Sequence, residues 1–387
     1  MNKRVINYAK HKIFDSELRA VSKVLKSNYL TQGPKINEFE DKIKDYCKSK
    51  YAVAVNSATS ALHISCLLYR LKSTDIVWTS PNSFVASANC ALYCGAKIDF
   101  VDIDPETYNI SIKDLERKLL KAKSKKLLPK ILIVVHHGGN PVDLKRVYQL
   151  SIIYKFKIIE DASHALGSEF DGNKIGSCKY SDLTIFSFHP IKTITSCEGG
   201  MILTKNKKNH DELKLLREHG INRDYRKFKN KKLFKWQYEQ ITLGYNYRMS
   251  DIHAAIGIAQ LKNIKKILLK RNKIAKLYNS KLSNYNLNTQ LVHRSSFSSY
   301  HLFTIILPSE KIRNKILKNL RVNNINASIV YNPIYLNPYY KKIGFRKGYC
   351  KHAEDFSKKS ISLPIYYDLQ QNDLMLIIKI ITNKLNK

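Results

Sequence analysis

No apolar run in this 387-residue chain approaches the length of about 20 residues that a membrane-spanning helix needs. The segment Met1 to Tyr8 lacks the apolar core of a secretory signal. Internal repeats and low-complexity linkers are also missing. Cysteines are few and scattered: seven in all, at Cys47, Cys66, Cys90, Cys94, Cys178, Cys197 and Cys350, an odd number with no disulfide or zinc spacing. Cys90 and Cys94 would share a helix face, but no second ligand pair accompanies them, so no metal is expected. These absences point to a reducing cytoplasm. Acidic residues are scarce as well, 31 Asp+Glu against 67 Lys+Arg, for a net charge of +36. Clusters such as Lys121 to Lys126 and Arg226 to Lys232 would suit a nucleic acid. The charge is nevertheless spread along the whole chain, which fits a general enrichment in lysine better than a nucleic-acid partner. The excess should still help attract an anionic small molecule.

What is present is an ordinary globular composition, 44% hydrophobic and 25% charged, long enough for two domains with real cores. Strands and helices alternate through the first two thirds. Asp15-Ser16-Glu17 can start a helix whose apolar positions Leu18, Val21, Val24 and Leu25 fall on one face. Tyr51–Val55 reads as a buried strand that turns at Asn56-Ser57-Ala58-Thr59-Ser60 into a helix. Ile76–Thr79 is a short strand, Pro81 breaks the chain, and an alanine-rich helix follows from about Phe84. Lys97–Val101 is another expected strand. Ile131–Val135 is uniformly apolar, as parallel strands covered on both faces tend to be. Asp143 can cap the next helix. Further strands end at Asp161, near Ser187 and at about Thr204. The expected architecture is therefore α/β, a mostly parallel sheet between helices, with sites at the carboxyl ends of the strands. After about residue 250 the pattern loosens. One long helix is expected from Ser250 toward Tyr278, then Phe303–Leu307 as a strand and Leu374–Leu385 as a helix. This predicts a large domain over residues 1–250, its first 12 or so residues an arm, and a smaller α+β domain over 251–387.

Two segments carry chemistry. The apolar run Phe156-Lys157-Ile158-Ile159-Glu160 ends in Asp161-Ala162-Ser163-His164-Ala165, and the next strand leads into Ser187-Phe188-His189-Pro190-Ile191-Lys192-Thr193. A strand ending in a carboxylate, then a strand followed by a lysine, is the arrangement that pyridoxal 5'-phosphate (PLP) chemistry needs. The lysine holds the cofactor as a Schiff base and moves a proton between carbons, and the acid pairs with the pyridinium nitrogen. Arginine could not replace that lysine, because it does not readily release its proton. Ser57-Ala58-Thr59-Ser60, opening a helix, offers hydroxyls, backbone N–H groups and a positive helix end to the cofactor phosphate. Ser187 is a second phosphate candidate. Phe84 can stack on the pyridine ring, and His164 can bond its hydroxyl. His136-His137, with no third ligand, reads as a strand-end loop near the site.

At these residues the chain resembles the DegT/DnrJ/EryC1/StrS sugar aminotransferases of PLP fold type I, and the resemblance covers nearly its whole length. The segments that carry it are Leu30 to Pro34, Asn56 to Leu62, Ser80 to Asn89, Glu160 to Ser168, Ser187 to Met201 and Gly244 to Asp251. Within the family it is most similar to the members that aminate a UDP-linked 4-keto-6-deoxy-N-acetylhexosamine on the route to pseudaminic acid, with L-glutamate as donor. The resemblance implies Lys192 as the Schiff-base lysine, Asp161 as the pyridinium partner, and His164 in place of the usual Gln or His beside the cofactor. Ala58, Thr59 and Ser187 match positions near the phosphate. Asn246 matches an asparagine that reaches the phosphate of the neighbouring subunit, which implies a homodimer with shared sites. Tyr8, the segment Asn28-Tyr29-Leu30-Thr31 and the segment Tyr331-Asn332-Pro333-Ile334-Tyr335 match nucleotide-sugar contacts. Relatives often carry His before that tyrosine, where this chain has Val330. Other nucleotide-linked keto sugars, of the perosamine or 3-amino type, are the alternative acceptors. Lys192 argues against the dehydratase branch, in which histidine replaces the lysine.

Overall fold

The computed structural model describes residues 4–385. Seven strands form the main sheet, in the order Tyr51–Val55, Gly200–Thr204, Leu183–Ser187, Lys157–Asp161, Ile131–Val135, Ile76–Thr79 and Lys97–Phe100. Gly200–Thr204 runs antiparallel to both of its neighbours. The remaining pairs are parallel. Side chains alternate between the two faces, as the two-residue period of a strand requires. Ala52 and Ala54 enter one core with Phe39, Ile43 and Phe186, whereas Val53 and Val55 enter a second with Ile64, Ile133 and Ile185. With helices covering both faces, every residue of Ile131–Val135 is buried, which is why that strand is apolar throughout. The fold is that of a type I PLP-dependent transferase. No described helix is long and apolar enough to cross a membrane.

The strands stand where the sequence puts them, with small shifts. Lys97–Phe100 stops one residue early, and the strand Lys157–Asp161 slides by one so that Asp161 is its last residue. Asp143 caps Leu144–Tyr154, its side chain accepting from Arg146 N.

Two expectations fail. The helix Asp15–Leu25 forms, but Leu18 and Leu25 are 64% and 58% exposed and only Val24 of the four apolar positions is buried. The side that packs inward is the one bearing Glu17, which turns back to accept a hydrogen bond from Phe14 N at 2.6 Å. The long helix after Ser250 is two helices, Asp251–Lys262 and Ile264–Leu282, interrupted at Asn263, whose ψ is 0°. The first lies against Pro34–Cys47, where Gly257 sits over the Phe39 ring. The break redirects the second helix toward a different core.

That third core holds Ile274, Ala275, Tyr278 and Leu282 from the redirected helix. Around it stands an antiparallel sheet of Asn288–Thr289, Phe303–Ile306 and Ser360–Leu363, with helices Glu310–Val322 and Gln371–Leu385. Ala254, Ile258, Ile264, Ile267 and Leu268, by contrast, belong to the first core. The arm at Ile6–Asn7 pairs in parallel with Ile325–Asn326, and Ile6 is buried in the third core.

Candidate active site

A cavity of about 220 Å³ opens at the carboxyl ends of the parallel strands. Ser57, Ala58, Thr59, Phe84, Asp161, His164, Ser187, Lys192 and Tyr331 all line it. Residues from five separate sequence segments thus meet at one edge of the sheet.

Asp161 is carried there as the last residue of its strand, 5% exposed. Its two oxygens are held apart by different donors. Ser87 Oγ donates to Oδ2 at 2.6 Å, and Ser163 Oγ donates to Oδ1 at 2.6 Å. Both donors are neutral hydroxyls, so the carboxylate is oriented but not neutralised within the chain. Buried charges are normally paired. A cationic ring nitrogen is the group this carboxylate lacks.

Lys192 stands in a loop that the chain fastens from both ends. Phe188, fully buried against the Phe39 ring at 4.9 Å, is the anchor. Its N–H donates to Gly199 O, and its carbonyl accepts from Ser196 N at 2.9 Å and Thr195 Oγ1 at 3.0 Å. Lys192 N donates to His189 O at 2.9 Å. Burial pushes the ammonium down to about 8 against a smaller opposing pull from Asp161. A substantial share of this amine is therefore neutral, hence nucleophilic, near neutral pH.

The helix Ala58–Leu68 points its N-terminus at the cavity. Ser57 caps it, accepting from Ser60 N at 3.1 Å. The N–H groups of Ala58 and Thr59 belong to the first turn, which has no intrahelical acceptors, and so they suit an anion. Gly200 makes this placement possible. A β-carbon there would lie 2.5 Å from the Ser57 carbonyl carbon and oxygen and 2.7 Å from Ala58 N. The bare glycine lets the helix end rest on the strand.

His164 lies deeper, with its Nε2 3.5 Å from the Tyr331 hydroxyl and its Nδ1 without a partner among the described residues. Burial, then the nearby Lys192 charge, holds its imidazole well below the usual histidine range, so it stays neutral. Burial likewise raises the Tyr331 phenol. His136 donates from Nε2 to Glu160 at 2.9 Å and accepts at Nδ1 from Val142 N at 3.1 Å. His136-His137 thus forms a buried strand-end loop beside the cavity.

Other expected residues lie outside this cavity. Tyr8 stands close to Tyr331. Asn28 to Thr31 form an exposed stretch tied to the helix at Asp251, which accepts from Gly33 N at 2.7 Å. Asn332 is exposed and accepts from Ser357, and Pro333 is buried. Ile334 and Tyr335 turn their side chains into the second core, where the Tyr335 hydroxyl donates to Glu354 at 2.7 Å. Asn246 is exposed and lines no part of its own chain's cavity. Sequence reasoning gave no role to Ser87 and Ser163, the donors to Asp161, or to Ser83, His189 and Glu198, which also line the site. Ser87 and Ser163 could have been found: each lies within a segment already marked, one turn or two residues from a functional position.

The donor set fits PLP: an unneutralised carboxylate for the ring nitrogen, a neutralisable amine, a helix end for the phosphate, and an aromatic ring, Phe84, at the mouth. Fold and site together define a PLP-dependent enzyme of fold type I. The chain belongs to the DegT/DnrJ/EryC1/StrS aminotransferase family, whose sequence model matches residues 11–382. It is therefore an aminotransferase, and PLP is its cofactor. It is 38% identical over 372 residues to UDP-4-amino-4,6-dideoxy-N-acetyl-beta-L-altrosamine transaminase of Campylobacter jejuni, covering 95% of this chain and 94% of that protein. It is 30% identical over 368 residues to GDP-perosamine synthase of Escherichia coli O157:H7, covering 93% of each. Among solved structures it is similar to Helicobacter pylori PseC, an aminotransferase involved in the biosynthesis of pseudoaminic acid, with TM-score 0.88 and 30% identity over 99% of this chain and 100% of that one. The PLP form of the sugar aminotransferase Spr1654 from Streptococcus pneumoniae superposes with TM-score 0.88 at 26% identity, covering 99% of each.

Proposed function

We propose that this protein is a sugar aminotransferase that moves an amino group from L-glutamate to the C4 ketone of a UDP-linked 4-keto-6-deoxy-N-acetylhexosamine, a step toward pseudaminic acid. The observation that carries the reading is the meeting of Lys192 and Asp161 in one cavity whose other end is a helix N-terminus. The two relatives named for altrosamine and pseudoaminic acid support the choice of sugar.

When bound, PLP supplies an electron sink for the bond changes at the amine-bearing carbon. The chain's residues do the rest. Asp161, fixed by Ser87 and Ser163, keeps the ring nitrogen protonated by placing a negative charge beside it. Ala58, Thr59 and Ser187 hold the phosphate, and Phe84 covers the ring. Lys192 would hold the cofactor through its amine, and its Nζ could take and give a proton in the cavity. Its lowered affinity for protons suits both giving and taking. Tyr8 and Asn28 to Thr31 contact the nucleotide sugar, and Tyr331 to Tyr335 do so through Tyr331 and backbone.

The charge of the cavity supports a homodimer with shared sites. Among the described residues Lys192 is the only lysine or arginine lining the cavity, and Glu198 lies there too. A sugar diphosphate therefore needs cations from elsewhere. Asn246 and the basic side chains Arg226, Lys227, Lys229, Lys231 and Lys232, exposed on this chain, are the groups a second copy would bring. The enzyme works in the cytoplasm.

The test is turnover of purified UDP-4-keto sugar with glutamate, followed by product NMR. An amine at C4 and its loss in Lys192→Ala are expected. A protein that ignores added PLP would sink the proposal. A second reading, an acceptor such as a perosamine-type or 3-keto nucleotide sugar, is favoured by Val330. That residue is buried and removes the histidine donor that relatives place beside the tyrosine. An amine at C3, or turnover only of another nucleotide sugar, would select it.

A further inference from the structure

A buried row of histidines lies under the cavity, and the chemistry above uses only one of them. The His164 ring faces that of His301 at 4.3 Å and 32°, and His137 stands edge-on to His164 at 6.4 Å. His301 is 1% exposed and lies 137 positions along the chain from His164. Among the described residues the Nδ1 atoms of both His164 and His301 have no hydrogen-bond partner. Such an arrangement is costly unless something depends on it.

The contact is held in place by three chain segments at once. Ser299 Oγ donates to His164 O at 2.8 Å, and Ser299 N donates to Ser168 Oγ at 3.0 Å. Gly139, at φ +90°, permits the crossing: a β-carbon there would fall 2.1 Å from Ser299 Oγ and 2.8 Å from His164 O. Tyr300 sits in the left-handed region at φ +45°, a conformation unfavourable for a residue with a β-carbon. The fully buried Arg271 stabilises it, donating to Tyr300 O at 3.1 Å, His301 O at 3.3 Å and Ile365 O at 2.9 Å. Backbone strain and a buried guanidinium thus both act to aim one side chain, and it is aimed at His164.

We propose that His301 is a positioning residue for the transamination: its ring, packed at 4.3 Å and 32° against that of His164, fixes the plane of the imidazole that lines the cofactor cavity. The inference rests on the PLP reading of the cavity. The charged and titratable groups around His164 are Lys192, His301, His137 and His136, with Tyr331 at its Nε2 and Asp161 three residues before it, at the end of the preceding strand. Arg271 acts from behind His301. Burial and these positive neighbours keep both imidazoles uncharged. His164 therefore offers a ring substituent one N–H or one lone pair, and which it offers depends on how the ring is held.

The test is the visible absorbance of the PLP-loaded enzyme as a function of pH. His301→Phe keeps a flat ring in the stack, and its midpoint is expected within about 0.2 pH unit of the parent. His301→Leu lets His164 tilt, and its midpoint is expected to shift by about 0.5 unit or more, a change of hydrogen bonding at the chromophore. Ser299→Ala, which releases only the His164 carbonyl, is expected to shift it the same way by less, and it serves if the leucine variant does not fold. A merely structural His301 would change the melting temperature without moving the midpoint. An unshifted His301→Leu or Ser299→Ala, or a His301→Phe shifted as far as His301→Leu, overturns the proposal. Failure of the parent protein to take up PLP would instead overturn the cofactor reading beneath it.

Discussion

Gly200→Ala should damage the cofactor site without touching any group that does chemistry. Gly200 does not adopt a left-handed backbone, so alanine is conformationally acceptable and the effect comes from space alone. The new β-carbon would sit 2.5 Å from the carbonyl carbon of Ser57, about 0.9 Å short of the 3.4 Å at which ordinary contact begins. The atoms in the way are backbone, so no side chain can rotate aside. The strand cannot yield easily, being paired along its length with Tyr51–Val55 on one side and Leu183–Ser187 on the other. The helix end therefore moves, by roughly an ångström, at a cost of about 1–3 kcal/mol in stability. The Ala58 and Thr59 N–H groups move with it. Weakening these charge-assisted hydrogen bonds should cost roughly 1–2 kcal/mol of phosphate binding, about 5- to 30-fold in Kd. The assay compares titration of the apoprotein with PLP and with pyridoxal, which lacks the phosphate. The loss should be confined largely to PLP. Unchanged PLP affinity, or an equal loss for both ligands, would show that this helix end is not the phosphate cradle.

Further predictions concern the amine, a buried ion pair and the substrate segment. With Lys192 pushed down to about 8, roughly a quarter of it is neutral at pH 7.5, against about one in a thousand for an unperturbed lysine. The rate of PLP capture by the apoprotein should rise through pH 8, and a rise centred near 10.5 would refute this. Because the unfolded lysine holds its proton more tightly, apoprotein stability should also increase with pH between about 8 and 10.5 from this group. Glu40 accepts from Arg217 Nη1 at 2.6 Å and Ala54 N at 2.8 Å, both partners buried. Glu40→Ala leaves the guanidinium without a counter-charge and should lower stability by about 3–5 kcal/mol in urea unfolding, whereas a loss under about 1 kcal/mol would mean the pair is solvated. Asp251→Ala removes the acceptor for Gly33 N and Lys35 N, at 2.7 and 2.8 Å, and so frees Asn28 to Thr31. KM for the nucleotide sugar should rise about tenfold with kcat nearly unchanged, and an equal fall in kcat would place the segment in the chemistry instead.

The sheet was legible because strands such as Tyr51–Val55 and Ile131–Val135 are short apolar runs, and burial on both faces leaves little room for polar interruptions. The cofactor residues were legible for a related reason. Asp161 ends one strand and Lys192 lies in the loop that leaves its parallel neighbour at Ser187, so topology alone carries them to the same edge. Side-chain direction was much less so. Leu18 and Leu25 obey helical spacing, yet they face outward, because the helix Asp15–Leu25 turns the Glu17 side to the protein. The break at Asn263 left no mark in the hydrophobic pattern, which continues because the second helix stays on the first core through Leu268 before it enters the third at Ile274. Tyr335 belongs to a motif segment, but its hydroxyl is committed to Glu354 in the core, an acceptor 19 positions away that no local pattern announces.

The division between legible and hidden has a physical origin that bears on the site itself. Groups that bind the cofactor lie on or just beyond strand ends, because a rigid sheet edge positions them without help from distant sequence. Groups that decide how those side chains are oriented come from far along the chain. Ser87 reaches Asp161 across 74 positions, and Ser299 reaches His164 across 135. A contact between segments so widely separated has no spacing rule, since it exists only after both have folded. The residues that make a sheet edge into a catalyst of one reaction are thus the ones least visible in a single sequence. Substitutions among Ser87, Ser299 and His301 should accordingly leave the fold standing while changing the spectrum and pH response of the bound cofactor, which is where their role is open to measurement.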